Sequence, residues 1–253
     1  MEVQVQGGAR ATPFLRARDT FLTEFDLSLP VKVYVRTDPD ERTWTSHAST
    51  HHRLNISAAA ARGGMARELA LHEFAHMYRH EEGHASHVQS TKEAIFLAGA
   101  GRRVPQDRVL QCYQIANHMK DIYADDLTLR VTPAARLLDF LESSVARSLA
   151  HGSPEFVPEQ GSAVTSRPDP NISAVNAAFA LALLERHDAL PDTHRLHELA
   201  RLVAADAPRV PFDQFREQFR TLPIDPDPSE YRRLLVDITR EYIGEATLAV
   251  EEE

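Results

Sequence analysis

The sequence predicts an α+β fold that is mostly helical, with a short N-terminal β-sheet packed on a helix that carries an HExxH motif, and with a helical C-terminal lobe. Short segments with strand-like alternation are found before residue 58, and helical periodicity dominates after it. The composition agrees, because 43% hydrophobic and 26% charged residues are typical of a globular chain that buries a core.

The first part of the chain combines one helix with a small sheet. Residues 12–25 are a predicted helix, because Phe14, Leu15, Phe21 and Leu22 recur at helical spacing. Apolar residues that alternate with polar ones, interrupted by turn residues at 38–40, then predict three strands at 29–36, 43–47 and 52–57.

Helices dominate the rest of the chain. An alanine-rich stretch after residue 57 opens a long helix that includes His72 to His76 and that Gly83 ends or bends. Proline at a first helical turn marks the starts near Pro133 and Pro228. Further helices are predicted at 90–100, 106–128, 133–150, 172–187, 193–206, 211–221 and 228–247.

Composition along the chain predicts two parts. Residues 1–150 form the domain that contains the motif helix, and residues 151–171 form a loop or linker, because they are rich in Pro, Gly and Ser and lack periodicity. Residues 172–253 form the helical C-terminal lobe, which we expect to pack on the first domain.

Charge and cysteine content exclude several classes of function. The net charge is −9, with no basic run, so we expect no nucleic acid partner. Cys112 is the only cysteine, so a bound metal must use nitrogen and oxygen ligands. The N-terminus lacks the pattern of a signal peptide, and the apolar run 174–184 is too short to span a bilayer. A cytoplasmic location without a membrane partner is therefore expected.

The chemistry-bearing motif is HExxH at residues 72–76. On a helix, residues four apart lie about 40° from each other around the axis, so His72 and His76 can each bring a ring nitrogen to one ion. Glu73 projects about 100° further round, where it can reach a water on that ion. Zn²⁺ lowers the pKa of such a water, and Glu73 can accept the proton as general base.

Two histidines leave a catalytic zinc site one protein ligand short. Glycine at 79 and histidine at 82 would indicate a metzincin, but these positions hold Arg79 and Glu82. In the helix at 106–128, polar residues recur at four-residue spacing beside apolar ones: Asn117, Asp121 and Asp125. Carboxylates that face a core are costly unless a cation compensates them. A metal would provide that compensation.

These motifs resemble those of the zincin metallopeptidases, especially gluzincin-like and aspzincin-like proteins, over residues 30–128. The resemblance implies His72, His76 and Asp121 as zinc ligands, Asp125 as the acid that orients His72, and Glu73 as general base. Asn117 is expected to support the site. Aspartate replaces the glutamate usual in gluzincins, and Asp125 and Asp126 stay open as alternative third ligands.

The same resemblance implies that a sheet strand pairs with extended substrate, and we expect residues 52–57 to be that strand. The whole chain is also similar to small archaeal zincin-like proteins, for which no substrate is implied. The expected function is zinc-dependent hydrolysis of peptide bonds in a peptide or protein substrate. The alternatives are a zinc-containing protein that binds peptide without cleaving it, and a structural protein in which these histidines and aspartates only pair with each other.

Other candidates are more weakly indicated. His80, His84 and His87 follow the motif at spacings of four and three, but a solvated helix end explains them better. Tyr123 and His118 are candidate donors to an oxyanion, although each is more commonly a packing or surface residue.

Overall fold

The computed structural model describes residues 1–38, 43–150 and 169–248. It confirms the α+β class, mostly helical, with a small sheet near the N-terminus and a helical C-terminal region. The strands are β1 (Val3–Gln6), β2 (Val31–Arg36), β3 (Trp44–His47) and β4 (His52–Ser57). The helices are α1 (Thr12–Phe21), α2 (Ala58–Arg62), α3 (Ala66–Glu81), α4 (Ala85–Val88), α5 (Thr91–Ala98), α6 (Gln106–Val131), α7 (Ala135–Ala150), α8 (Pro170–Arg186), α9 (Arg195–Ala205), α10 (Phe212–Arg220) and α11 (Pro228–Leu248).

Contacts divide the chain into two compact units. The first comprises Met1–Gln89 and Lys120–Pro133, and the second comprises Ser90–Met119 and Ala134–Glu253. The two units interleave along the chain, whereas the sequence predicted a domain at 1–150, a linker at 151–171 and a lobe at 172–253. Most of the linker predicted at 151–171 lies outside the described residues.

The sheet of the first unit has the strand order β1-β2-β4-β3. β1, β2 and β4 run parallel, and β3 runs antiparallel to β4. β1 was not predicted, although Val3 and Val5 alternate with glutamines in the period-two pattern of a strand. Both valines pack against the core, so this alternation was the signal for the missed strand.

The prediction that residues 52–57 form the substrate-pairing edge strand is wrong. β4 lies inside the sheet between β2 and β3, and both sides of its backbone pair with other strands. In register, Leu54 lies opposite Val33 on one side and Thr45 on the other. Among the described strands, β1 and β3 are the two edges of the sheet, and β3 is the edge beside β4, so the backbone groups on its outer side can receive an extended chain.

α3 packs on α1 and contacts β3 and β4. Between them lies a core of fully buried side chains: Phe14, Phe21, Val31, Val33, Leu54, Ile56 and Phe74. Phe21 meets Phe74 edge-on, with ring centroids 6.2 Å apart. The long helix expected after residue 57 is interrupted, because Gly63 has an extended backbone between α2 and α3. The core therefore holds α3, and with it the HExxH motif, against the sheet.

The second unit is helical. α8 is buried over nearly its whole circumference, because it packs against α7, α9 and α10. α11 packs against α5. This arrangement explains the apolar run at 174–184 as the centre of a helical core. Within the described residues, no helix combines the length and hydropathy that a membrane span requires.

Candidate metal centre

α3 places the two motif histidines side by side. The Nε2 atoms of His72 and His76 lie 3.0 Å apart, and the ring planes are nearly perpendicular at 84°. This follows from their spacing of one helical turn, with both side chains on the same face of α3. The side chains are 26% and 14% exposed, so the pair is sheltered but open to solvent.

α6 brings Asp121 to the same point. Its Oδ1 lies 3.6 Å from His72 Nε2 and 3.3 Å from His76 Nε2. Ligand atoms about 2.0–2.2 Å from a tetrahedral zinc ion lie roughly 3.3–3.6 Å from each other. The two sides that meet at Asp121 are within this range, and the side between the histidines, at 3.0 Å, is slightly shorter, so the triangle is close to three corners of such a site. Among the described residues, His72, His76 and Asp121 are the only group of three candidate ligands this close together.

Asp125, one turn further along α6, contacts the other side of His72. Its Oδ1 lies 2.9 Å from His72 Nδ1 and also accepts a hydrogen bond of 2.9 Å from Thr128 Oγ1. The carboxylate at Nδ1 favours the proton of the neutral ring there, so in neutral His72 the lone pair is on Nε2, which faces the triangle. Burial works to lower the pKa of His72, but the carboxylates of Asp125 and Asp121 raise it well above its ordinary value.

His76 has a comparable partner in His87, which the sequence pattern had placed at a solvated helix end. His76 Nδ1 lies 2.7 Å from His87 Nε2, and His87 Nδ1 lies 2.7 Å from Ser86 Oγ. Burial is the main cause that lowers the pKa of His87, with further lowering by His76. Gly83, at φ +71°, makes the turn between α3 and α4 that brings His87 back to the motif helix.

Glu73 is only 6% exposed and follows the first histidine on α3. Burial raises the pKa of its carboxyl group, while His76, His72 and a hydrogen bond with Thr45 of β3 act in the opposite direction. A carboxyl group with a raised pKa accepts a proton more readily, which suits a general base. The bond with Thr45 also sets Glu73 beside the edge strand.

Arg79 links the two helices that carry the candidate ligands. Its guanidinium donates from Nε to the backbone carbonyl of Tyr123 on α6 at 2.9 Å, and from Nη1 to Glu82 at 2.6 Å. The residue is only 8% exposed, so these bonds are shielded from water. The bond to Tyr123, two residues after Asp121, therefore joins α3 to α6.

A second group of histidines fixes the end of β3 to α3. His52 is fully buried, its Nε2 lies 2.8 Å from Glu81 Oε1, and its Nδ1 lies 2.9 Å from His47 Nδ1. The ring of His47 stacks on that of His80, with centroids 3.8 Å apart. His80 is therefore a packing contact of the edge strand.

Several predicted residues lie elsewhere. Asn117 is exposed and belongs to the second unit. His118, in the same unit, lies 2.8 Å from Asn176 Oδ1 and stacks on Phe179. Tyr123 is fully buried, and its ring packs on that of His84. The structure thus brings together His72, Glu73, His76, Asp121 and Asp125.

Comparison with known proteins assigns no activity. The model of a family described as a family of unknown function (DUF5781) matches residues 1–244. No curated protein and no solved structure matches the chain.

Proposed function

The chain belongs to the DUF5781 family of unknown function, and we propose that it is a zinc-dependent metallopeptidase that hydrolyses peptide bonds. The observation that carries the proposal is the triangle of His72 Nε2, His76 Nε2 and Asp121 Oδ1, with sides of 3.0, 3.3 and 3.6 Å, next to the buried carboxyl group of Glu73. Two nitrogens and one carboxylate oxygen are a donor set that suits zinc and leave a fourth position for water or substrate.

A zinc ion in this triangle would polarise the scissile carbonyl and lower the pKa of a water molecule bound to it. The chain's own residues would do the rest. Glu73 would accept a proton from the attacking water and pass it to the leaving amine. Asp125 holds His72 through its Nδ1. The opposing effects of burial and of the neighbouring histidines on the pKa of Glu73 suit a group that both takes up and releases a proton.

β3 supports a peptide as the substrate. It is the edge strand next to β4, it contacts α3, and Thr45 of this strand bonds Glu73. An extended peptide that adds to the outer side of β3 by backbone hydrogen bonds would run past the general base. This geometry suits a chain of amino acids better than a compact small molecule.

A zinc-containing protein that binds peptide without cleaving it is the second candidate. It is favoured by His118, one of the two expected oxyanion donors, because its Nε2 is already engaged 2.8 Å from Asn176 Oδ1. A peptidase needs a group that stabilises the developing oxyanion. This group can be a hydrogen-bond donor brought in by substrate-induced rearrangement, or the metal ion itself.

Two measurements on the purified full-length chain separate these candidates. Metal analysis is expected to find about one zinc per chain. Incubation with a peptide library, read by mass spectrometry, is expected to give new termini that a chelator abolishes. Zinc without any cleavage would support the binding protein, and the absence of stoichiometric metal would contradict both candidates.

A further inference from the structure

A chain of short hydrogen bonds runs from His76 away from the candidate metal position. His76 Nδ1 lies 2.7 Å from His87 Nε2, His87 Nδ1 lies 2.7 Å from Ser86 Oγ, and Ser86 Oγ lies 2.7 Å from His84 Nδ1. Ser86 is fully buried and His84 is 6% exposed. Each of these buried hydrogen bonds has one donor and one acceptor. The direction in which the series of bonds runs therefore decides which ring nitrogens carry protons.

The direction of these hydrogen bonds is set by the backbone N–H group of Ser86. The Ser86 backbone N–H donates to His84 Nδ1 at 3.3 Å, where His84 caps the N-terminus of α4. A backbone N–H cannot accept, so His84 Nδ1 is unprotonated there and also accepts the hydroxyl proton of Ser86. Ser86 Oγ has then given away its only proton and must accept at His87.

The proton positions on His87 and His76 follow from the acceptor role of Ser86 Oγ. His87 donates from Nδ1 to Ser86 Oγ, and because a neutral imidazole carries a single N–H, its Nε2 is an acceptor. His76 therefore donates from Nδ1 to His87 Nε2. Its own Nε2 is then unprotonated and is the acceptor in the 3.0 Å hydrogen bond with His72 Nε2, while Asp121 Oδ1 lies 3.3 Å away.

We infer that His87 is a positioning residue that holds His76 in the Nδ1-protonated form required of a metal ligand, with Ser86 and His84 fixing His87 in turn. This inference rests on the proposed function, since it concerns the same site. It complements Asp125, which does the same for His72 through a carboxylate. The two ligand histidines are thus oriented by partners of different charge, one anionic and one neutral.

The tautomers can be measured without metal or substrate. Long-range proton–nitrogen NMR spectra of the isotopically labelled, metal-free full chain report which ring nitrogen of each histidine is protonated. The expected result is a proton on Nδ1 of both His76 and His87. A proton on Nε2 of His76 would overturn the inference. This outcome is independent of catalysis, so it can fail while the proposed function stands, and the reverse is also true.

Zinc affinity of variants gives a second readout, obtained by competition with a chromophoric chelator. His87→Gln keeps an oxygen that can accept from His76 Nδ1 and is expected to bind zinc within a few-fold of the wild type. His87→Leu removes the acceptor and is expected to weaken binding roughly 10- to 100-fold, the usual effect of losing a ligand's hydrogen-bond partner. His51→Gln, which changes a histidine outside the chain of bonds, is the matched control.

Equal zinc affinity of the Gln and Leu variants would show a packing role only and would overturn the inference. If His87→Leu fails to fold, Ser86→Ala provides the test, because it removes the acceptor at His87 Nδ1 with a minimal change of volume. That variant is expected to show a mixture of His87 tautomers and weaker zinc binding. Tautomers and zinc affinity identical to those of the wild type would contradict the proposed direction of the hydrogen bonds from His76 to His84.

Discussion

His72 Nδ1 lies 2.9 Å from Asp125 Oδ1, so the ring of His72 is held from the side opposite the candidate metal position. The same carboxylate oxygen accepts from Thr128, which fixes its own orientation. A histidine held in this way loses less conformational freedom when it binds an ion. Asp125 is therefore expected to contribute to zinc affinity without contacting zinc.

Replacing Asp125 should weaken zinc binding while the ligands remain in place. Asp125→Ala is expected to lower affinity roughly 10- to 100-fold, and Asp125→Asn less, because the amide oxygen can still accept from His72 Nδ1. Chelator competition measures both. Asp19→Ala, an exposed aspartate on α1, serves as the control. An affinity for the Ala variant equal to that of the wild type would contradict the role given to Asp125.

Substitution of two aspartates of α6, Asp121 and Asp126, tests which residue is the third ligand. Asp121→Asn should abolish stoichiometric zinc, because a neutral amide is a poor ligand and Oδ1 of Asp121 completes the triangle. Asp126→Asn should leave zinc content unchanged. Metal analysis, with circular dichroism to confirm folding, measures the two variants. Loss of zinc from the Asp126 variant but not from the Asp121 variant would reverse the assignment.

Zinc should stabilise the folded chain against heat. A ligand that binds only the native state adds about 2.7 kcal/mol when its free concentration is 100 times the dissociation constant. The metal-free protein is therefore expected to melt several degrees higher after zinc is added, and His76→Ala should remove this effect. Differential scanning calorimetry with and without zinc measures it. Melting that is independent of zinc would support a purely structural role for the cluster.

The free energy of unfolding should fall in acid, because the ionised carboxylate of Glu81 contributes to it. Its carboxylate accepts hydrogen bonds from the backbone N–H groups of Ser28 and Leu29 and bonds His52. Although burial acts to raise the pKa of Glu81, these bonds lower it below its ordinary value. A depressed carboxyl pKa contributes stability above the unfolded-state pKa, and this contribution is lost as pH falls through the folded-state pKa.

The comparison is between the wild type and Glu81→Gln in urea unfolding at a series of pH values. The difference in unfolding free energy should be largest near neutral pH and should shrink below about pH 4.5, the region where a free glutamate protonates. A difference that stays constant down to strongly acid pH would show that the ionised form of Glu81 does not matter.

Local patterns predicted much of the first unit. The motif helix and the stripe that includes Asp121 and Asp125 follow from spacings within single helices, and the structure brings both aspartates to the motif histidines. Whether these residues bind metal stays a prediction. Asn117 shares their spacing but is exposed, because each four-residue step shifts a side chain by about 40° around a 3.6-residue helix.

Features that depend on chain reversal and strand order were missed. His87 reaches His76 only because the backbone turns at Gly83, and the spacing of eleven residues carries no periodic signal for that contact. Likewise, residues 52–57, which form β4, were expected to be the edge strand that pairs with substrate, and this prediction was wrong. The order within a sheet depends on which strands pair, and β3 returns antiparallel to cover the outer side of β4.

The central claim is that Glu73 acts as a base next to a zinc ion, and Glu73→Gln tests it most directly. Zinc content and peptide hydrolysis are measured on this variant and on the wild type in the same preparation. The variant is expected to keep one zinc per chain and to lose hydrolysis by several orders of magnitude. Hydrolysis at the wild-type rate in a zinc-loaded Glu73→Gln protein would contradict it.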